Sequence, residues 1–197
     1  MNAHEPVFAG YLPKVVYEPD WNIIKQVASV SGCQSEGPVP KEDSLAYWQY
    51  NRAFFYPTVA LALAVAEPGA AIFGYWIYPV LFDGAEGPRP IDLNAMFDSN
   101  DTSLPAESPS PPWWVLGYDA VAFETEYRCW GCSPLTCNGY ATDEDGPRPV
   151  NRYGLLRTPE AAFEAALLFQ AEQPEPGTYL VFRVEVPPES PLLSLEP

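Results

Sequence analysis

One stretch of this chain reads as if it were used twice. Residues 51–81, NRAFFYPTVALALAVAEPGAAIFGYWIYPVL, and residues 151–186, NRYGLLRTPEAAFEAALLFQAEQPEPGTYLVFRVEV, run through the same order. Each opens on Asn-Arg, and an apolar pair follows shortly after, Phe54-Phe55 and Leu155-Leu156. An Ala-rich run comes next, then Glu67-Pro68-Gly69 or Glu175-Pro176-Gly177, then an aromatic and β-branched run. Alanine is the strongest helix former and a Pro-Gly pair cannot continue a helix, so each copy reads helix, stop, strand. Upstream, Trp21-Asn22-Ile23-Ile24 leads through Val27-Ala28-Ser29-Val30 to Cys33, and Trp114-Val115-Leu116 leads through Val121-Ala122-Phe123 to a cysteine cluster ending at Cys137. Two copies offset by about one hundred residues point to a duplicated half-domain with a pseudo-twofold relation, not a solenoid. The expected fold is α+β, with two similar strand–loop–helix–strand halves. Residues 1–90 form the first half, 91–112 a connecting loop and 113–197 the second half of one compact unit.

A chain of 197 residues buries enough surface to fold without a metal or disulfide. Its 24 prolines cluster between apolar runs, so they read as stiff connections rather than disorder. Along the chain, residues 1–20 read as an extended arm or edge strand and 22–30 as a short strand. Asp43 or Ser44 caps a helix through Trp48, and Pro57 opens the next helix, which ends near Ala66. Ala71 to Val80 is almost wholly apolar and reads as a strand buried on both faces. Residues 83–112 form the longest connection. Trp113 to Phe123 is a strand. Thr158, Pro159 and Glu160 supply the cap and first turn of a helix whose apolar face carries Phe163, Ala166 and Leu167. The last strand alternates, with Leu180, Phe182, Val184 and Val186 inward and Arg183 and Glu185 outward. Residues 187–197 read as a loose tail.

The net charge of −16 leaves no basic excess to neutralise phosphates, which argues against nucleic acid or an anionic membrane as partner. The stretch from Phe54 to Phe82 carries a single charge, Glu67, but Pro68-Gly69 divides it into pieces too short to span a bilayer. The opening residues MNAHEPVFAG lack the basic and apolar segments of a secretion signal, so the expected location is the cytoplasm, where the four cysteines stay reduced.

The single histidine, His4, excludes Ser-His-Asp, HExxH and two-histidine sites built deeper in the chain. No dinucleotide or P-loop glycine motif occurs. The sharpest local motif is Cys129-Trp130-Gly131-Cys132 followed by Cys137. With Cys33 as a fourth ligand it would form a zinc site. The competing reading is a set of small buried side chains in a tight loop. Arg52 and Arg152 occupy matching places in the two copies and are candidate ligand-binding residues at the seam, against a plain ion-pairing role. Asn51 and Asn151 read as turn or cap residues. Glu124 and Glu126 follow a buried strand and are the candidate acid/base pair, against a solvated face. Tyr47, Trp48, Tyr50, Trp113, Trp114 and Tyr118 would make an aromatic groove or part of the core.

The run Gly117-Tyr118-Asp119, then Cys132-Ser133-Pro134-Leu135-Thr136-Cys137-Asn138, then Val150-Asn151-Arg152-Tyr153 resembles the core of a group of small bacterial proteins. With Ser29 to Cys33 the resemblance covers most of the chain. It implies a bacterial cytoplasmic protein and brings no activity or site with it.

These readings lead to one first expectation and two alternatives. The first is a non-enzymatic acidic binding protein, inhibitor-like or immunity-like, that docks a basic protein and needs no cofactor. The second is a small enzyme or ligand-binding protein with its site at the seam of the halves. The third is a zinc-stabilised scaffold.

Overall fold

The structure, a computed structural model, describes residues 5–15, 28–30, 55–83, 87–96, 107–124, 129–131, 133–135, 150–172 and 176–194. The fold is α+β. Four long strands form an antiparallel sheet in the order β1 (Val7–Val15), β2 (Ala70–Ile77), β7 (Thr178–Val186), β5 (Trp114–Glu124). The short β6 (Cys129–Trp130) extends it beyond β5. Strands β3 (Val80–Asp83) and β4 (Gly87–Pro90) form a separate hairpin. Three α-helices occur among the described residues: α1 (Val59–Val65), α2 (Leu93–Met96) and α3 (Pro159–Glu172).

Side-chain alternation sorts the sheet into two faces. One face carries Ala71, Phe73, Tyr75 and Ile77 of β2 with Leu180, Phe182, Val184 and Val186 of β7, in a cluster completed by Ala28, Val30, Phe55, Tyr153 and Leu192. The other face carries the helices. Ala62 of α1 packs on Phe8, Tyr11 and Ile72. Ala162, Ala166 and Phe169 of α3 pack on Ala120, Ala122, Tyr179 and Val181. Trp76 opposite Arg183 in the β2–β7 register places both helices on the same side. Alanine meets alanine under α3, so the helix approaches the sheet closely, and Phe169 fills the end of the contact.

The two outer hairpin-like units share local geometry. Gly10 and Gly117 both have left-handed φ, 138° and 152°, and each follows a register shift in its strand. Tyr11 and Tyr56 exchange two backbone hydrogen bonds of 2.9 Å, and Tyr118 and Leu156 exchange bonds of 2.9 and 2.8 Å. Two residues on, the hydroxyls of Thr58 and Thr158 accept from the amides of Leu61 and Ala161, both at 3.3 Å.

Several sequence expectations need revision. The helix at Pro57 starts after Thr58, because Tyr56 is still paired to Tyr11 and the chain must turn before it can coil. The apolar run from Ala71 is two strands: Tyr78 makes one further bond to β7, donating to Val181 at 3.0 Å, and Pro79 then has no amide to continue the ladder. The long connection contains β4 and α2. The buried stripe of α3 is Ala162, Ala166 and Phe169, with Phe163 and Leu167 only partly covered. Glu185 is not an outward residue: its face bears the helices and it is 4% exposed. The C-terminal stretch is anchored by a 3₁₀ turn, Pro191–Ser194, that buries Leu192. Residues 28–30 are not in a strand, while 22–27 and the helix expected after Asp43 lie outside the described residues.

Candidate functional site

Strands β2 and β7 lie far apart in the sequence and pair at the centre of the sheet. Because they run antiparallel, α1 and α3 cover diagonally opposite corners of the helix-bearing face. Between them lies Trp76 of β2 with Arg183 and Glu185 of β7. The Arg183 guanidinium sits 4.2 Å over the Trp76 ring. Its Nε lies 2.9 Å from Glu185 Oε1, and the Trp76 indole donates to Glu185 Oε2 at 2.8 Å. Burial raises the Glu185 pKa, and the Trp76 hydrogen bond and Arg183 charge oppose that shift.

Aromatic rings extend this centre in both directions. On the α1 side, Trp76 contacts Phe8 at 5.0 Å between centroids, Phe8 contacts Tyr11 at 4.9 Å, and Tyr11 contacts Trp113 at 5.3 Å. On the α3 side, Tyr118 lies 6.5 Å from Tyr78, which meets Phe163 edge-on at 5.1 Å. Carboxylates stand among these rings. Burial first, then the charges of Glu107 and Glu185, push the Tyr11 phenol up to about 12. Burial first, with Glu160 adding to it and Arg183 opposing, pushes Tyr78 up to about 12. Tyr118 is raised by burial as well, with Arg183 opposing and Glu160 and Glu185 reinforcing. Phe8, Tyr11 and Tyr78 are buried, so the rings that reach the surface are Trp76, Trp113, Tyr118 and Phe163, with the exposed Glu107 and Glu160 among them.

The opposite face holds a buried polar cluster. Lys14 on β1 and Asp119 on β5 are 2% and 0% exposed. The Lys14 ammonium donates to the Ser29 carbonyl. Asp119 Oδ1 accepts from the Ser133 hydroxyl at 2.7 Å and from its neighbour Ala120 at 2.9 Å. The Tyr75 hydroxyl donates to the Ala28 carbonyl at 3.0 Å. Burial pushes Lys14 down to about 7, against the pull of Asp119, and raises Asp119 against its hydrogen bonds and Lys14. The cluster fastens segments 28–30 and 133–135 to the sheet.

The residues singled out in the sequence fall in several places. Arg152 is exposed. Its Nη2 donates to the Tyr153 hydroxyl at 2.6 Å and the Leu192 carbonyl at 3.3 Å. Asn151 is a turn residue: its Oδ1 accepts from Tyr153 and Leu155 at 2.9 and 3.2 Å, and its Nδ2 donates to Leu116 at 2.8 Å. Glu124 ends β5, half-buried. Arg52, Glu126, Cys33, Cys132, Cys137 and His4 lie outside the described residues, and of Cys129 only the strand backbone is described. Among the described residues no three His, Cys, Asp or Glu side chains gather as a metal site. No helix among them is long and apolar enough to cross a membrane.

Sequence reasoning missed Arg183, Glu185 and Trp76 as a unit. Their alternation was visible, but the signal that joins them is the β2–β7 register, which is not local. No known protein family, characterised protein or solved structure matches this chain, so any functional reading rests on the site itself.

Proposed function

We propose that this is an acidic binding protein that docks a basic protein partner, in the manner of an inhibitor or immunity protein. The observation that carries the reading is the partly exposed rim of rings between α1 and α3, where Trp113 lines a pocket with the exposed Glu107 and Tyr118 feels the charge of the exposed Glu160, while Tyr11 and Tyr78 lie buried behind them. Tyrosine and tryptophan supply contact area with few rotors to freeze, and the net charge of −16 steers a cationic partner toward it. Val115, 47% exposed at the start of β5 and opposite Glu185, adds apolar area beside it. The test is affinity capture from a host extract at low ionic strength, with native protein and a Tyr118→Ala/Glu160→Gln variant in parallel. A basic protein held by the native chain, released by salt and lost with the variant is the expected result. Recovery of no basic protein, or equal recovery by the variant, would sink it.

The same reading includes an internal duplication, with residues 1–90 and 113–197 as halves joined by 91–112 and a pseudo-twofold axis between β2 and β7. The paired glycines, backbone bridges and threonine caps support it.

A further inference from the structure

At one end of this surface, the loop that enters β5 and the start of α1 enclose a pocket of about 330 Å³. Its lining includes Tyr11, Trp113, Glu107, Ser108 and Thr58. The size is at the low end for ligand sites, enough for one side chain rather than a large molecule. The Tyr11 and Trp113 rings meet at 59°; Tyr11 is 2% exposed and backs the wall, so the partly exposed Trp113 supplies its aromatic face. The Tyr11 hydroxyl donates to the Glu107 carbonyl at 2.9 Å, which fixes that residue of the loop to the wall. Glu107 is exposed, so its carboxylate is not committed to the interior.

An aromatic face and a carboxylate at one pocket both select for positive charge. A guanidinium uses both, since it stacks flat on a ring while its fork pairs with a carboxylate. A compact, strongly hydrated ammonium uses them less well. Resting on the reading of a basic partner, we infer that this pocket receives one arginine side chain of that partner, held between the Trp113 ring and Glu107.

The probe is Nα-acetyl-arginine amide, followed through the Trp113 indole NH resonance of the full-length protein. That resonance is assigned with Trp113→Phe. A saturable shift is expected, with binding at least tenfold weaker for the neutral isostere Nα-acetyl-citrulline amide and for the Glu107→Gln variant. No saturable shift, or equal binding of the citrulline compound, would overturn the assignment. Capture of the basic partner separates the two ideas. If Glu107→Gln captures it as well as native protein does, the pocket assignment fails and the acidic surface stands. If no partner is captured yet acetyl-arginine amide binds with the stated selectivity, the pocket stands and the wider reading fails.

Discussion

Arg183 and Glu185 leave β7 two residues apart on the same face, and the guanidinium Nε meets the carboxylate at 2.9 Å. The Glu185 side chain is 6% exposed and that of Arg183 23%, with Trp76 occupying the second carboxylate oxygen. Desolvation of the carboxylate is offset only while both partners remain. Arg183→Met should therefore destabilise the protein by roughly 3 kcal/mol, the scale for breaking a buried pair. Because Glu185 already titrates above its ordinary value, the folded state of the variant takes up a proton before the unfolded chain does. Its deficit should shrink as pH falls toward the carboxylate range. Urea denaturation of the variant at neutral and mildly acid pH measures both effects. A loss below about 0.5 kcal/mol, typical of a plain surface site, would mean the pair is surface decoration.

The two bulge glycines give a matched pair of substitutions. A Cβ on Gly10 would stand 2.6 Å from the Tyr56 carbonyl oxygen, and one on Gly117 would stand 2.7 Å from Leu155 Cβ and the Leu156 oxygen. In both places the obstruction is backbone or a buried neighbour, and φ is unfavourable for any L side chain. Gly10→Ala and Gly117→Ala should each cost about 2 kcal/mol or more. Gly69, with φ of 86° and nothing within 4 Å of its would-be Cβ, is the control. Gly69→Ala should cost only about 1 kcal/mol. Thermal denaturation of the three variants tests the set. A duplicated architecture predicts closely similar losses at Gly10 and Gly117, and a mild effect at one of them would count against it.

Much of this fold follows from local signals. The α3 start at Thr158-Pro159-Glu160 is legible because capping depends on adjacent residues. The edge strand carrying Pro13 is legible because proline restricts which strand can hold it. What local signals leave open is which strands become neighbours. Alternation in β7 places Arg183 and Glu185 on one face, but the contact with Trp76, brought alongside by the β2–β7 pairing, is not legible in β7 alone. Lys14 looks like any surface lysine on an edge strand. It is buried because segment 28–30 closes over it, a contact no spacing rule encodes. That Arg183 stands opposite Trp76 likewise required the β2–β7 register.

The helix caps test how far each helix depends on its own ends. α1 has seven residues and fully buries only Ala62, with Val59, Leu61 and Val65 partly covered, while α3 has fourteen residues and buries Ala162, Ala166 and Phe169. Thr58→Ala and Thr158→Ala each remove a hydroxyl acceptor from an N-terminal amide, worth about 1 kcal/mol. Global stability should fall by that amount in both. Amide exchange should separate them: Leu61 to Val65 lose protection locally in Thr58→Ala, whereas α3, held by its long buried stripe, exchanges only through global unfolding. Equal local opening of both helices would show that packing on the sheet, rather than length, is not what holds α3.

Lys14 and Asp119 set the pH dependence. The Lys14 ammonium is buried and titrates near 7, against 10.5 in the unfolded chain. Between those values the unfolded state holds a proton that the folded state has released, so stability rises with pH through this window. The cost of burying the charged form is fully present below about 7 and is relieved toward 10.5. Asp119 acts at the acid end: its folded pKa is raised above 3.8, so protonation just above that value favours the folded state. Beyond pH 10 the sign reverses, because Tyr11, Tyr75 and Tyr78 keep their protons in the folded state after the unfolded chain has lost them. Stability measured by urea denaturation should climb from pH 7 to about 9.5 by a few kcal/mol and then decline. Lys14→Met removes the titrating group and should flatten the climb while leaving the alkaline decline. Should the native protein show no rise above pH 7, or Lys14→Met retain it, the buried lysine is not the group responsible.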